Sequence, residues 1–272
     1  MERDPGHIRA VGSVRVGTGP AADTGGVTAS RRPAGFVLAD RTDAGQRLAA
    51  ALEEATGPAA LTPATVLLGL CRGGVPVAAV AAAALGLPVD GVATRKLGVP
   101  GHAEVAFGAL ASCAGHRART TDPVLVDRLL ASGVPVTRLD QIVARETAAL
   151  ARQEDVFLRG SRALSGGVLA DGVVAGRPVV LCDDGIATGA TMLAAIDAVR
   201  AAGAERVTVA SPVGSPSAVE RLGAAADAVV CLHAPADFHA VGAYYRAFPQ
   251  CTDAEVIDAL SSGRRTDRGR VL

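Results

Sequence analysis

The sequence predicts an α/β fold: a doubly wound parallel sheet with a helical insertion and a C-terminal appendage. Two segments carry the prediction because they share one plan. "TVLLGL" (65–70) runs through the turn "CRGG" into a helix, and "VVLC" (179–182) runs through "DDGIATGAT" into another. Each helix then returns to an apolar run, "VDGVATRK" from 89 and "RVTVASPV" from 206. Strand, glycine turn, helix and strand make the βαβ unit, and runs without polar alternation mark strands buried on both faces. The length of 272 residues suits one large domain or a domain with appendages.

The elements follow in order. Residues 1–34 are rich in Gly, Ala, Thr, Arg and Pro without apolar periodicity, and read as a disordered leader outside the fold. The domain occupies 35–260, and 261–272 form a flexible tail. In "FVLADRTDAGQRLAAALEEA", Asp40 or Thr42 is the N-cap of a helix with Leu48, Leu52 and Ala55 at helical spacing, ending near Gly57. After the first strand, a helix presents Val77, Val80, Ala81 and Ala84 on one face and closes at Gly86. "HAEVAFGALAS" adds a strand, and a polar helical stretch from about Asp122 to Arg159 forms an arm within about 120–165. The helix after the second turn places Met192, Ile196 and Val199 on one face and closes at Gly203, and residues 228–231 supply one more strand. The appendage covers about 234–260.

Composition narrows the partners. Basic and acidic residues balance at 27 each, so no global field favours nucleic acid, and a small metabolite is the natural ligand. Five scattered cysteines without a CxxC pair read as reduced, buried thiols, which fits a cytoplasmic protein. The longest apolar stretch, 75–89, contains two prolines and falls short of the ~20 residues a membrane span needs. No charged head followed by an apolar core opens the chain, so a soluble protein is expected.

The chemistry belongs to the strand ends, because an open parallel sheet binds ligands beyond its carboxyl edges, where helix N-termini point their amides. Ala187, Thr188, Gly189, Ala190 and Thr191 combine small side chains with two hydroxyls at a helix start. That is a phosphate cradle without the lysine of GxxxxGK[ST], a pattern the chain lacks. Asp183 and Asp184 precede it directly. Adjacent carboxylates need cations or hydroxyl donors, so a sugar diol, with or without Mg²⁺, is their chemical complement. Phosphate on one side and diol on the other describe a ribose 5-phosphate.

"VVLCDDGIATGAT" resembles the phosphoribosyl-pyrophosphate motif of type I phosphoribosyltransferases: four apolar residues, two acids, two mostly apolar residues and a Thr/Gly loop. "LCRGG" (70–74) resembles their pyrophosphate loop, and "RKLGVPGHAEVAFGA" (95–109) sits where the family carries its mobile catalytic loop and resembles an uncharacterised bacterial subgroup. The likeness covers roughly residues 36–260. It implies displacement of pyrophosphate from the anomeric carbon of phosphoribosyl pyrophosphate by a base or amine acceptor, with Mg²⁺ as cofactor. By the same resemblance Asp183 and Asp184 hold the ribose hydroxyls, directly or through the metal. Ala187, Thr188, Gly189, Ala190 and Thr191 take the 5-phosphate, and Arg72, Gly73 and Gly74 line the pyrophosphate site. Arg95 or Lys96 neutralises the leaving group as the loop closes, shielding the cation-like state from water.

One departure bears on the acceptor. In the hypoxanthine-guanine branch an aspartate precedes the motif threonine and faces the purine, whereas here Ala187 stands there, which disfavours a 6-oxopurine. The appendage lies where many relatives place a hood, and its Phe238, Tyr244, Tyr245 and Phe248 read either as a stacking platform or as a small core.

Other readings are weaker on the residues. A regulator that senses phosphoribosyl pyrophosphate without catalysis is the alternative, since such proteins share the fold, but no separate basic recognition surface or helix-turn-helix pattern accompanies the motif. "GLCRGG" does not supply the GxGxxG of a dinucleotide oxidoreductase. His102 and Glu104 lack a third metal ligand, and His233 and His239 lack a triad partner. Cys182 reads as core packing. Homo-oligomers are common in the resembling family, and Ile142, Val143 and Leu150 form the stripe that would make such a contact.

Overall fold

The computed structural model describes residues 14–16, 35–56, 61–165 and 174–263. In chain order the elements are β1 (Val14–Val16), α1 (Arg41–Thr56), β2 (Val66–Leu70), α2 (Gly74–Leu85), β3 (Val89–Val99), β4 (His102–Cys113), β5 (His116–Thr121), α3 (Pro123–Ala131) and α4 (Val136–Ser165). They continue with β6 (Pro178–Cys182), α5 (Ala190–Ala201), β7 (Arg206–Ser211), α6 (Pro216–Ala225), β8 (Ala228–Cys231), a 3₁₀ turn (Val241–Tyr244) and α7 (Asp253–Gly263). Among the described residues eight strands form one sheet in the order β1-β8-β7-β6-β2-β3-β4-β5. The pairs from β1 through β3 are parallel, and β3-β4 and β4-β5 are antiparallel.

Alternation along the central strands feeds two cores. Val66, Leu68 and Leu70 of β2 and Val179 and Leu181 of β6 point into one, with Met192, Ile196 and Val199 of α5. Leu67, Val180 and Cys182 point into the other, with Leu48 and Leu52 of α1 and Val77, Ala78 and Ala81 of α2. This two-sided burial is what the unbroken apolar runs predict. On α2 the buried face is shifted from the expected one: Val77 and Ala81 are buried, Val80 is partly buried and Ala84 is exposed. α1 leans on α2 at Gly45, where a Cβ would come 2.7 Å from Val80 Cβ.

The arm is two helices. Gly133, at φ +91°, and Pro135 separate α3 from α4, because the first leaves the helical region and the second cannot continue a hydrogen-bonded turn. Leu139, Ile142 and Leu150 of α4 are buried against Leu97, Val99, Phe107 and Leu110 of the β3–β4 hairpin. The stripe expected to make an oligomer contact is therefore spent mainly on the chain's own hairpin, with Val143 at its edge.

Four elements go beyond the sequence prediction. β5, "HRARTT", is an exposed edge strand whose polarity hides it. α6 begins at Ser215–Pro216, with Ser215 Oγ accepting from Ala218 N–H at 3.2 Å. α7 begins with the capping box "TDAE": Thr252 Oγ1 accepts from Glu255 N–H at 3.2 Å, and the Glu255 carboxylate accepts from Thr252 N–H at 2.7 Å. β1 pairs with β8 inside the segment read as a leader, while the remainder of 1–34 lies outside the described residues, as do 264–272 of the expected tail. Asp40, not Thr42, caps α1, its Oδ1 accepting from the N–H groups of Thr42 and Asp43 at 2.8 and 3.0 Å.

Candidate active site

β2 and β6 are neighbours, yet the helices that follow them pack on opposite faces of the sheet, α2 with α1 and α5 against the other core. The chain reverses its winding between these strands, which opens a crevice at their carboxyl ends. A cavity of about 1120 Å³ occupies it, walled by the β2–α2 and β6–α5 turns, by Thr94 and Lys96 of β3, and by residues 238–242 and 248–251.

Both helices that start at this cavity start without a cap. α2 has Gly73 and α5 has Gly189 at the N-cap, residues without a side chain to cap the first turn. The Val75 N–H bonds the Arg72 carbonyl at 3.2 Å and the Ala190 N–H reaches Thr188 Oγ1 at 3.4 Å; the other amides of each first turn are open to a ligand, and the helix dipole favours an anion there. Gly189 sits at φ +76°, a left-handed conformation that turns the Thr-rich loop into the helix. Gly73 is needed for space: a Cβ there would collide with the Asp184 carboxylate, and one on Gly74 would collide with the Cys182 carbonyl. The two turns are thus in direct contact. Thr94 Oγ1 donates to the Cys71 carbonyl at 3.1 Å, tying β3 to the first turn, whose Cys71–Arg72 peptide is cis.

Asp183 and Asp184 lie between the two helix ends. Burial pushes the Asp183 carboxyl well above the ordinary range, and the neighbouring Asp184 charge adds to it while Lys96 opposes. Burial also raises Asp184, offset in part by Arg41. The Asp184 N–H donates to Asp183 Oδ1 at 2.9 Å, and Tyr245 Oη donates to the Asp184 carbonyl at 2.6 Å, which fixes the turn. Two desolvated carboxylates with one lysine and one arginine nearby form a site with unspent affinity for cations or hydroxyl donors.

Most of the residues singled out in the sequence meet here. Arg72, Gly73, Lys96, Asp183, Asp184, Ala187, Thr188, Gly189 and Thr191 all line the cavity. Gly74 and Ala190 stand just behind it as the first residues of α2 and α5, and the Ala190 carbonyl accepts from Thr120 Oγ1 at 3.2 Å. Ser215 Oγ donates to the Ala187 carbonyl at 2.6 Å, and Arg221 donates to the Thr188 carbonyl, so α6 braces the phosphate loop. Among the described residues the Arg72 side chain makes a 3.6 Å ion pair with Asp253, and it lines the cavity.

Arg95 is a correction. Consecutive strand residues face opposite sides, so Lys96 enters the cavity while Arg95 turns to α4. Its Nε and Nη2 donate to Glu146 Oε2 at 3.0 and 2.9 Å, and Arg145 takes the other oxygen at 3.0 and 2.9 Å. Arg95 lines a second cavity of about 710 Å³ and has no place in the wall of the first.

Arg41 is the residue the sequence reading missed. From the first turn of α1 its Nε and Nη2 donate to Asp184 Oδ2 at 2.9 and 2.8 Å, its Nη1 donates to the Pro249 carbonyl at 2.8 Å, and its guanidinium lies 4.1 Å over the Phe248 ring. A faint signal existed, since a cation at a helix N-terminus opposes the dipole and needs a reason.

The aromatic cluster divides. Tyr244 and Tyr245 are buried in the α1–α2 core, while Phe238 and Phe248 reach the cavity wall. His239 joins them, but His233 stacks on Phe36 at 4.6 Å. His102 is exposed at the second cavity, and the Glu104 side chain lies outside the described residues. No group of three or more His, Cys, Asp or Glu that could hold a metal occurs among the described residues. All five cysteines are free and buried, and burial lifts the Cys182 thiol to about 12. No helix among the described residues is long and apolar enough to cross a membrane.

Comparison with known proteins agrees with this geometry. Residues 42–246 match the phosphoribosyl transferase domain profile. A Mycobacterium tuberculosis protein, provisionally named a phosphoribosyl transferase in two strains, is 41% identical over 226 residues, or 83% of this chain and 47% of its own length. The chain therefore spans about half the length of the curated relatives it matches. The crystal structure of TT1426 from Thermus thermophilus is similar at 39% identity and a TM-score of 0.63, covering 84% of this chain and 99% of that one.

Proposed function

The chain belongs to the phosphoribosyl transferase family, and from that premise we propose that it transfers the phosphoribosyl group of phosphoribosyl pyrophosphate to a nitrogenous acceptor. The observation that carries this reading is the convergence of two uncapped helix N-termini on one cavity with two carboxylates between them. The α5 end, with Thr188, Gly189 and Thr191, takes the 5-phosphate. The α2 end, with Arg72 and Gly73, takes the pyrophosphate. Asp183 and Asp184 lie between the two anion sites, where the ribose diol must fall, and their negative charge offsets the positive charge that develops at the anomeric carbon as the bond to pyrophosphate breaks. Lys96 enters from β3 to meet the leaving group.

The donor set fits Mg²⁺. This ion takes one or two carboxylates and completes its shell with water and phosphate oxygens, so the lack of a third protein ligand among the described residues suits it. Held by Asp183 and Asp184, it would supply charge neutralisation for the departing pyrophosphate.

Phe238 and Phe248 offer planar surfaces on the acceptor side, and Ala187 leaves that side without a carboxylate to read a 6-oxopurine. The test is isothermal titration with phosphoribosyl pyrophosphate and Mg²⁺, followed by a screen of bases and amines for pyrophosphate release. Micromolar binding that disappears in an Asp183→Asn/Asp184→Asn variant supports the site. Binding with no release against any acceptor would favour a sensor, and no binding by the intact protein would overturn the reading.

A further inference from the structure

Asp184 already has a cation, and it comes from within the chain. The Arg41 side chain is 13% exposed and places two nitrogens on the same oxygen, Oδ2, at 2.9 and 2.8 Å. The third nitrogen and the planar face of the guanidinium are also engaged, by the Pro249 carbonyl at 2.8 Å and the Phe248 ring at 4.1 Å. Charge-assisted bonds of this kind are among the stronger side-chain contacts, and here they are shielded from water. Among the described residues no cation contacts Asp183: its Oδ1 accepts the Asp184 N–H, its carboxyl shares a hydrogen bond with that of Asp184, and Lys96 acts on it through its charge.

We propose that Arg41 is the internal counter-ion of the site, holding Asp184 in the resting protein and keeping a free divalent cation off the acid pair. The inference rests on the reading under Proposed function. A bare cation would have to break the Arg41–Asp184 pair and then sit beside the displaced guanidinium, where like charges a few ångströms apart repel. A cation that arrives on a pyrophosphate brings its own negative charge, which the released guanidinium can face. Binding is thereby biased towards the metal–ligand complex over the metal alone. The same guanidinium holds Pro249 and Phe248, so freeing Asp184 also loosens the segment that walls the cavity's acceptor side.

The experiment titrates Mn²⁺ alone, read by the electron paramagnetic resonance of the free ion, into wild type, Arg41→Gln and Arg41→Lys. Arg41→Gln should bind the ion about tenfold more tightly than wild type. Arg41→Lys, which keeps the charge without the fork, should fall between. Adding Asp184→Asn to Arg41→Gln should abolish the gain, which places the ion at that acid. Equal Mn²⁺ affinity in wild type and Arg41→Gln overturns the proposal. If Arg41→Gln does not fold by thermal melt, Arg41→Met, which keeps the aliphatic stem without the charge, decides: a several-fold gain supports the counter-ion role and none overturns it. A parallel titration of wild type with phosphoribosyl pyrophosphate and Mg²⁺ separates the two claims. Its failure removes the transferase reading, while the Mn²⁺ comparison uses no phosphoribosyl ligand and stands by itself.

Discussion

Helices α1, α3, α6 and α7 begin with side-chain caps, from Asp40, Asp122, Ser215 and Thr252 with Glu255, whereas α2 and α5 begin with glycines and no side-chain cap. The bare ends open into the cavity, and of the capped ends α1 sends Arg41 to its wall while α6 braces the phosphate loop. A side-chain cap satisfies an orphan amide and is worth about 1 kcal/mol, so leaving two helices without one forgoes stability. The difference teaches where binding energy is held in reserve: the open first-turn amides of α2 and α5 await an anion from outside the chain, and the capped amides of α1, α3, α6 and α7 are met from within it.

The strongest way to break this contrast is at the acids between the bare ends. Asp183→Asn/Asp184→Asn should weaken binding of phosphoribosyl pyrophosphate with Mg²⁺ by about a hundredfold or more, while the thermal midpoint moves little, because relief of the desolvated Asp183 charge is opposed by loss of the Arg41–Asp184 pair. Calorimetry beside a thermal melt reads both. A melt that falls by many degrees would make the acids structural and reverse the comparison.

Gly73→Ala comes next. Its Cβ meets the Asp184 carboxylate, which must swing away from its place beside Arg41, and pyrophosphate affinity should drop about tenfold or more, measured by titration with pyrophosphate alone. Ser215→Ala sharpens the contrast, because this hydroxyl both caps α6 and holds the Ala187 carbonyl. It should cost about 1 kcal/mol of stability, a few degrees in midpoint, together with a few-fold loss of affinity. Asp122→Ala is the smallest. It removes a 3.0 Å cap from Leu125 N–H at an exposed helix end and should cost about 0.5–1 kcal/mol with affinity unchanged. An affinity change there would mean that the arm reaches the site.

Local pattern made much of this legible. Asp183 through Thr191 form one strand-turn-helix segment, so contiguous residues share one site and the sequence displays them together. "CRGG" was legible for the same reason. Arg41 was not, since it reaches Asp184 across 143 positions and belongs to no contiguous pattern. Of Arg95 and Lys96 only the second reaches the cavity, because a strand's alternation separates neighbours without saying which of them faces the ligand. β5 escaped because an exposed edge strand needs no apolar run, whereas α6 and α7 carried readable caps in "SP" and "TDAE".

By itself, the sequence determined the parallel α/β core, the two glycine turns and the acid pair with its Thr/Gly loop, because hydrophobic period, turn chemistry and helix starts act over a few residues. Only the tertiary structure decided that β2 and β6 lie side by side, that Gly73 must clear the Asp184 carboxylate, that Lys96 and not Arg95 enters the cavity, and that Arg41 neutralises Asp184. Those facts depend on which distant surfaces bury against one another. That choice is made by packing the whole chain, and no window of neighbouring residues contains it.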